Sequence, residues 1–197
     1  MTKLELLDQL ATEKSSILRT ADAVAAGVSK PYFYNYVKER GYEQAQHGVF
    51  VSPDAWVDSM YLLQIRCPQA VFSHETALYL HDMTDREPVR FTLTAKSGYN
   101  ASHLTKDNVK VYTVKEELLY MGLMEVKTPF DHTVQAYDAE RTVCDIVRSR
   151  SNIEMQTFQG ALKAYVQRSD KDMRKLMRYA EAFHVDRILR NYLEVLI

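Results

Sequence analysis

The spacing at which apolar positions recur changes along this chain, and each change predicts a different kind of element. Near the start, Arg19-Thr20-Ala21-Asp22-Ala23-Val24-Ala25-Ala26-Gly27-Val28-Ser29 has the punctuation of a short helix, a tight turn and the start of a second helix. Thr20 is placed to cap the first helix, Ala23 and Val24 suit close helix contact, and Gly27 can take the left-handed conformation that ends it. Ser29 then caps the second helix, with Pro31 tolerated in a first turn whose N–H groups have no intrahelical partner. In that second helix Phe33, Tyr36 and Val37 fall at i, i+3 and i+4, which turns Lys30, Tyr34, Asn35 and Lys38 outward. Beyond Gly41 the residues up to Val51 alternate as two short strands reversing near His47-Gly48. A hairpin in that place is a wing beside a DNA-reading helix.

A boundary is expected at Ser52-Pro53-Asp54, where a helix can begin anew with Ala55, Trp56, Val57, Met60, Tyr61 and Leu63 as its apolar positions. A second helix, Ser73 to His81, carries Ser73 as its cap and Glu75 in its first turn. The runs Val89–Thr94, Val109–Val114 and Leu123–Val126 have the alternation and β-branched content of strands, with Ser97-Gly98-Tyr99-Asn100 as an irregular link. From Asp138 onward the period is helical, giving helices at about 138–149, 154–167, 170–183 and 185–196. The predicted class is α+β: a winged helix-turn-helix domain over 1–53, then a larger domain over 54–197 with a small sheet and a C-terminal helical pack.

Composition adds limits. A chain of 197 residues, 46% hydrophobic, can support one large domain or two small ones with real cores. Glu5 and Asp8 interrupt the apolar stretch a signal peptide needs, and no run approaches the ~20 apolar residues of a membrane span, so the expected compartment is the cytoplasm. Cys67 and Cys144 stand far apart, outside any CxxC spacing, and are expected to be reduced packing residues. Residues 1–53 carry six basic and six acidic side chains, so a DNA-binding module there depends on local clustering of its cations.

The charge lies unevenly in the rest. Residues 54–140 hold eight Lys or Arg against thirteen Asp or Glu, whereas 141–190 hold eleven against six. In the helix near 170–183, Met173, Leu176, Met177 and Ala180 share one face, and Lys171, Arg174, Lys175 and Arg178 form a positive band on the other. Arg148, Arg150, Lys163 and Arg168 extend it if the helices stack side by side. Such a band is either a solvated helix face or a surface for an acidic protein or a nucleic acid.

Catalytic constellations are thin. His74 and His81 lie two turns apart on one helix face, ~10 Å, too far for one metal without other ligands. Arg141 and Asp145, at i and i+4, form most simply a helix-surface or partly buried ion pair that fixes the helix against the sheet. There is no phosphate-cradling Gly-rich loop, GxSxG or HExxH. No catalytic residue, metal or cofactor is assigned.

The chain resembles the AbiEi-type antitoxins of bacterial abortive-infection, type IV toxin-antitoxin systems, over nearly its full length. The resemblance is carried by Ala26-Gly27-Val28-Ser29, His47-Gly48-Val49-Phe50-Val51, Ser73-His74-Glu75-Thr76-Ala77-Leu78, Tyr137-Asp138-Ala139-Glu140-Arg141-Thr142-Val143-Cys144-Asp145 and Tyr192-Leu193-Glu194-Val195-Leu196. His47 stands where the usual turn into the wing has an Arg. The resemblance implies two roles. The N-terminal domain would repress its own operon by binding inverted repeats in double-stranded DNA, and the C-terminal domain would antagonise a nucleotidyltransferase-like toxin. The DNA-binding set would be Arg19, Thr20, Ser29, Lys30, Tyr32, Tyr34, Asn35, Lys38, Arg40 and His47. The antitoxin surface would be Arg148, Arg150, Lys163, Arg168, Lys171, Arg174, Lys175 and Arg178. Two other readings stay open on the residues alone: a ligand-responsive winged-helix transcription factor, and a nucleic-acid enzyme with a DNA-targeting module.

Overall fold

The structure is a computed structural model that describes residues 2–105 and 107–196. It is a mixed, α+β fold with two small sheets. The chain divides into two compact units, one running up to Arg66 and including Lys127–Thr133, the other made of Cys67–Val126 and the chain from Val134 onward. The division falls after Arg66, so the helix expected to open the second domain belongs with the first unit. None of the described helices is long and apolar enough to cross a membrane.

The first unit begins with α1 (Lys3–Glu13), held at its start by a reciprocal capping box between Thr2 and Glu5. Strand β1 (Ile17–Arg19) leads into α2 (Thr20–Ala25), and α3 (Lys30–Glu39) follows a turn in which Gly27 has φ +86°. Strands β2 (Glu43–Gln46) and β3 (Val49–Val51) reverse at Gly48, φ +70°, and the sheet order is β1-β3-β2. Leu7, Leu18, Ala23, Val28, Phe33, Tyr36, Val37 and Phe50 make the core, as the i, i+3, i+4 spacing in α3 requires. Two local expectations change. Thr20 is the first helical residue rather than the cap, because its amide donates to the Gly48 carbonyl at 2.8 Å and its side chain is buried under the hairpin turn. Val24 does not pack between the helices; it is 44% exposed.

The helix expected from residue 54 is α4 (Ser59–Arg66), with Trp56 and Val57 left 81% and 56% exposed. The cap is Asp58, whose Oδ1 accepts the Tyr61 amide at 3.0 Å. Its Oδ2 accepts from Thr128 Oγ1 at 2.5 Å and faces His132 Nδ1 at 2.8 Å. The Tyr61 ring stacks on His132, with centroids 4.3 Å apart. Three groups thus fix a carboxylate that is 1% exposed, and the helix begins where that carboxylate can receive it.

The second unit contains a five-stranded sheet in the order β6-β5-β4-β8-β7. Its strands are β4 (Val71–Phe72), β5 (Thr92–Lys96), β6 (Lys110–Val114), β7 (Leu123–Lys127) and β8 (Thr133–Tyr137). Strand β4 runs antiparallel to β5 and parallel to β8, and β5 runs parallel to β6. Strand β5 starts three residues later than the alternation from Val89 suggested. Val89 is 91% exposed, whereas the Thr92 amide and hydroxyl bond Thr76 and the Ser73 carbonyl and hold the strand from that point. Helices α5 (His74–Leu80), α6 (Ser102–Thr105) and α7 (Glu116–Leu119) lie between strands.

Helix α8 (Ala139–Arg148), capped by Asp138, is buried at every position but its last. Around it pack α9 (Met155–Gln167), α10 (Met173–Ala182) and α11 (Asp186–Leu196). Val143, Ile146 and Val147 meet Phe158, Leu162, Leu176, Phe183 and Leu189 there. Helix α10 starts at Met173 rather than 170, because the Asp172 side chain accepts the Arg174 and Lys175 amides.

Candidate nucleic-acid interface

A concavity of about 580 Å³ in the first unit collects residues from α2, α3, α4 and the β2–β3 turn. Arg19, Lys30, Tyr34 and His47 line it together with the small residues Ala21 and Ala25. The apolar face of α3 sets this arrangement. Once Phe33, Tyr36 and Val37 are buried, Lys30, Tyr34, Asn35 and Lys38 must point away from the core, and all four are exposed. The side chains of Lys30, Asn35 and Lys38 make no hydrogen bond or ion pair among the described residues. Tyr34 is half committed, its ring meeting Phe33 and Phe50 edge-on at 5.8 Å each, so its hydroxyl is carried on a fixed base.

The remaining DNA-binding expectations divide. Ser29 is the exposed cap of α3, and its side chain makes no capping bond. Tyr32 is exposed with the Lys3 ammonium 5.7 Å from its ring centre. Arg19 lies 3.6 Å from Asp22, a loose pair that keeps it on the rim. Arg40 points elsewhere. It pairs with Asp8 of α1 at 3.2 Å and covers the Tyr36 ring, while the Tyr36 hydroxyl donates to the same carboxylate at 2.6 Å. Burial and that carboxylate push the Tyr36 hydroxyl well above the usual phenol range. Thr20 lines the concavity, but its hydroxyl is buried and has no hydrogen-bond partner among the described residues.

The C-terminal cations do not form a continuous band. Lys175 reaches back to Asp138 Oδ2 at 2.9 Å and Glu140 Oε2 at 3.0 Å. Arg168 forks onto Asp170 at 2.9 and 2.8 Å and onto the His81 carbonyl at 2.7 Å, and Lys171 caps the Arg168 carbonyl. Arg148 is half-buried over Phe183, and Arg150 bonds the Val147 carbonyl. Lys163, Arg174 and Arg178 are exposed without a carboxylate partner among the described residues, Arg178 lying 5.6 Å from the Tyr179 ring centre.

Lys175 has a measurable role in acid. Burial alone would raise the Glu140 carboxyl, but the Asp172 amide and Lys175 hold it below the usual carboxylate range. A depressed carboxyl contributes stability above its unfolded pKa, and that stability is lost as pH falls through its folded value. In Lys175→Met the folded value rises, so the acid decline of the melting temperature should begin at higher pH, read by calorimetry across about pH 3 to 5. An unchanged acid limb would show that the pair does not hold Glu140.

The Arg141–Asp145 pair is fully buried rather than at the helix surface. Arg141 Nε donates to Asp145 Oδ2 at 3.0 Å, and Nη1 donates to the Leu118 and Met121 carbonyls at 2.7 and 2.9 Å. The guanidinium is flanked by Tyr137 and Phe183 at 4.0 and 4.1 Å. His74 is also buried, its ring nitrogens 3.0 Å from Ser73 and Ser149 hydroxyls, and burial lowers it well below the usual imidazole range, with Arg148 adding to the effect. His81 Nε2 meets the Tyr137 carbonyl at 2.6 Å. No group of three or more His, Cys, Asp or Glu side chains suited to a metal occurs among the described residues. Sequence reading missed the Asp58–Thr128–His132 cluster, whose members stand 70 and 74 positions apart with no local signal to link them.

No family model matches this sequence, and no curated protein matches it. Among solved structures, the chain is similar to the RV2827C protein from Mycobacterium tuberculosis, with a TM-score of 0.60 and 14% sequence identity over 95% of this chain and 75% of that one. At that identity the likeness concerns the fold alone.

Proposed function

We propose that this protein is a DNA-binding repressor with a second, antitoxin role, of the AbiEi type that its sequence resembles. In this reading α2, α3 and the β2–β3 hairpin form a winged helix-turn-helix. The observation that carries it is the grouping of Arg19, Lys30, Tyr34 and His47 around one concavity, with the exposed Asn35 and Lys38 side chains on the same helix making no bond among the described residues. Helix α3 would enter the major groove, Asn35 pairing with the N6/N7 edge of an adenine and the lysines meeting phosphate or guanine. His47 would place the wing tip against the backbone, with Arg19 beside it. The target is operator DNA with inverted repeats, and the compartment is the cytoplasm.

For the second role, the partner is a nucleotidyltransferase-like toxin. Lys163, Arg174 and Arg178 remain from the basic surface as open cations that such a partner, or its nucleic-acid substrate, can meet. The protein acts in this reading by binding rather than by catalysis.

Fluorescence anisotropy of the full chain on its own upstream DNA and on shuffled DNA, across salt concentrations, tests the first role. Asn35→Ala is expected to cost about 1 to 3 kcal/mol, confined to one base position. Lys38→Ala should weaken all sequences alike and lower the salt slope by about one. Equal binding of upstream and shuffled DNA by the native protein would remove the repressor reading. Equal losses on both DNAs for Asn35→Ala would remove only its base contact.

A further inference from the structure

The second unit holds another cavity, which the repressor reading does not use. It is a half-open cleft of about 160 Å³, and Glu75 of α5, Thr92 of β5, Arg86, Glu87, Arg90 and Glu154 are among its lining residues. Most of these groups are already engaged. Arg86 pairs with Glu154 at 3.0 Å, and the Thr92 hydroxyl donates to the Ser73 carbonyl.

Three charged groups of the lining are not engaged among the described residues: Glu75, the exposed Glu87 and Arg90. Glu75 Oε2 is buried with no hydrogen-bond partner, a condition that costs free energy unless a donor arrives. Arg90 is exposed and holds no ion pair or hydrogen bond among the described residues. A further group lies nearby. The Tyr112 hydroxyl is buried without a partner, and burial, then the Glu75 carboxylate, pushes it up to about 12, with Arg90 opposing, so it remains a neutral donor.

A ligand that satisfies this set needs a cationic donor for Glu75 and an anionic acceptor for Arg90. A plain amine leaves Arg90 unmatched, and a plain acid would face the Glu75 carboxylate. Size narrows the choice further. A cavity of about 150 Å³ is enough for benzene, so the part of a ligand seated inside this cleft is about six to eight non-hydrogen atoms. The ammonium, α-carbon and carboxylate of an amino acid use most of that space. We propose that the cavity binds a small α-amino acid of alanine or serine size, its ammonium on Glu75 and its carboxylate on Arg90.

The site lies wholly within the second unit, so its outcome is independent of DNA binding. The test is calorimetric titration of the full-length protein with L-alanine and L-serine, alongside ethylamine and propionate, which lack the carboxylate and the ammonium respectively. Saturable binding of at least one amino acid is expected, with ethylamine and propionate at least about tenfold weaker. Glu75→Gln and Arg90→Met should each weaken the amino acid by about tenfold or more. Arg90→Met removes an exposed side chain with no bonds to lose, so it should fold even if Glu75→Gln does not. The proposal is overturned if neither amino acid binds up to about 10 mM, if ethylamine or propionate binds as well as the amino acid, or if Arg90→Met binds like the native protein.

Discussion

Replacing Arg141 with alanine is expected to remove roughly 3 to 5 kcal/mol of stability, a large share of the ~5 to 15 kcal/mol that typically holds a domain folded. The change strands three acceptors at once: the Asp145 carboxylate and the Leu118 and Met121 carbonyls. It also removes a guanidinium set between the Tyr137 and Phe183 rings. Lysine should not rescue it, since an ammonium has no planar fork with which to span a carboxylate and two carbonyls. The pH dependence separates the ionic cost from lost packing. Burial raises the Asp145 carboxyl, and Arg141 is the largest influence opposing that rise. Without Arg141 the folded value climbs further. A raised folded pKa means that the native state binds more protons, so stability falls as pH rises from the unfolded value, ~3.9, through the folded one. Urea unfolding of Arg141→Ala should therefore show its smallest deficit in acid. A deficit independent of pH would assign the loss to packing. The paired replacement Arg141→Met with Asp145→Leu, which leaves no stranded charge, should recover much of the loss.

Gly122→Ala is the second severe change. Gly122 has φ +76°, and an added Cβ would fall 2.6 Å from Arg141 Cβ and 3.1 Å from Asp138 Oδ1. Neither neighbour can yield cheaply, because Asp138 caps α8 and Arg141 is held by Asp145 and by the Leu118 and Met121 carbonyls. Backbone strain of ~1 to 2 kcal/mol and overpacking of ~1 to 3 kcal/mol combine to about 2 to 5 kcal/mol. Gly98→Ala supplies the comparison, since Gly98 has φ +89° but nothing within 4 Å of an added Cβ. It should show the backbone part alone. Differential scanning calorimetry reads both, at roughly 2 to 4 °C per kcal/mol for a chain of this size. Equal melting temperatures for the two variants would show that the contact with α8 carries no cost.

How much of this fold was legible in the sequence depends on the reach of each interaction. The inward set of α3 and the left-handed Gly27 are local, and spacing located them. The start of α4 escaped because its cap, Asp58, is fixed by Thr128 and His132 far along the chain; the apolar Trp56 and Val57 then stood for a helix that begins after them. Strands β1 and β4 span three and two residues, too short for alternation to show. The candidate interface divides in the same way. Helical period alone turned Lys30, Asn35 and Lys38 outward, but Thr20 is buried by the Gly48 turn and Arg40 is drawn off by Asp8, each a contact between elements. Lys175 combines both cases. Its position on the polar face of α10 was legible, and the two carboxylates that occupy it, Asp138 and Glu140, belong to another helix and its cap.

The first unit is not one continuous piece of chain. Asp58, 1% exposed, depends on Thr128 and His132, which come after Arg66 only once much of the second unit has been laid down. During synthesis, at about 5 to 20 residues per second, the stretch from Arg66 to Thr133 takes roughly 3 to 13 s to translate. Throughout that interval the nascent N-terminal segment carries a carboxylate shaped for burial and lacking two of its partners. A ribosome that stalls or terminates in that window would release an N-terminal segment with an unfinished floor, open to proteases. Completion of the first unit is in this way tied to the chain having grown well past the residues that line its concavity.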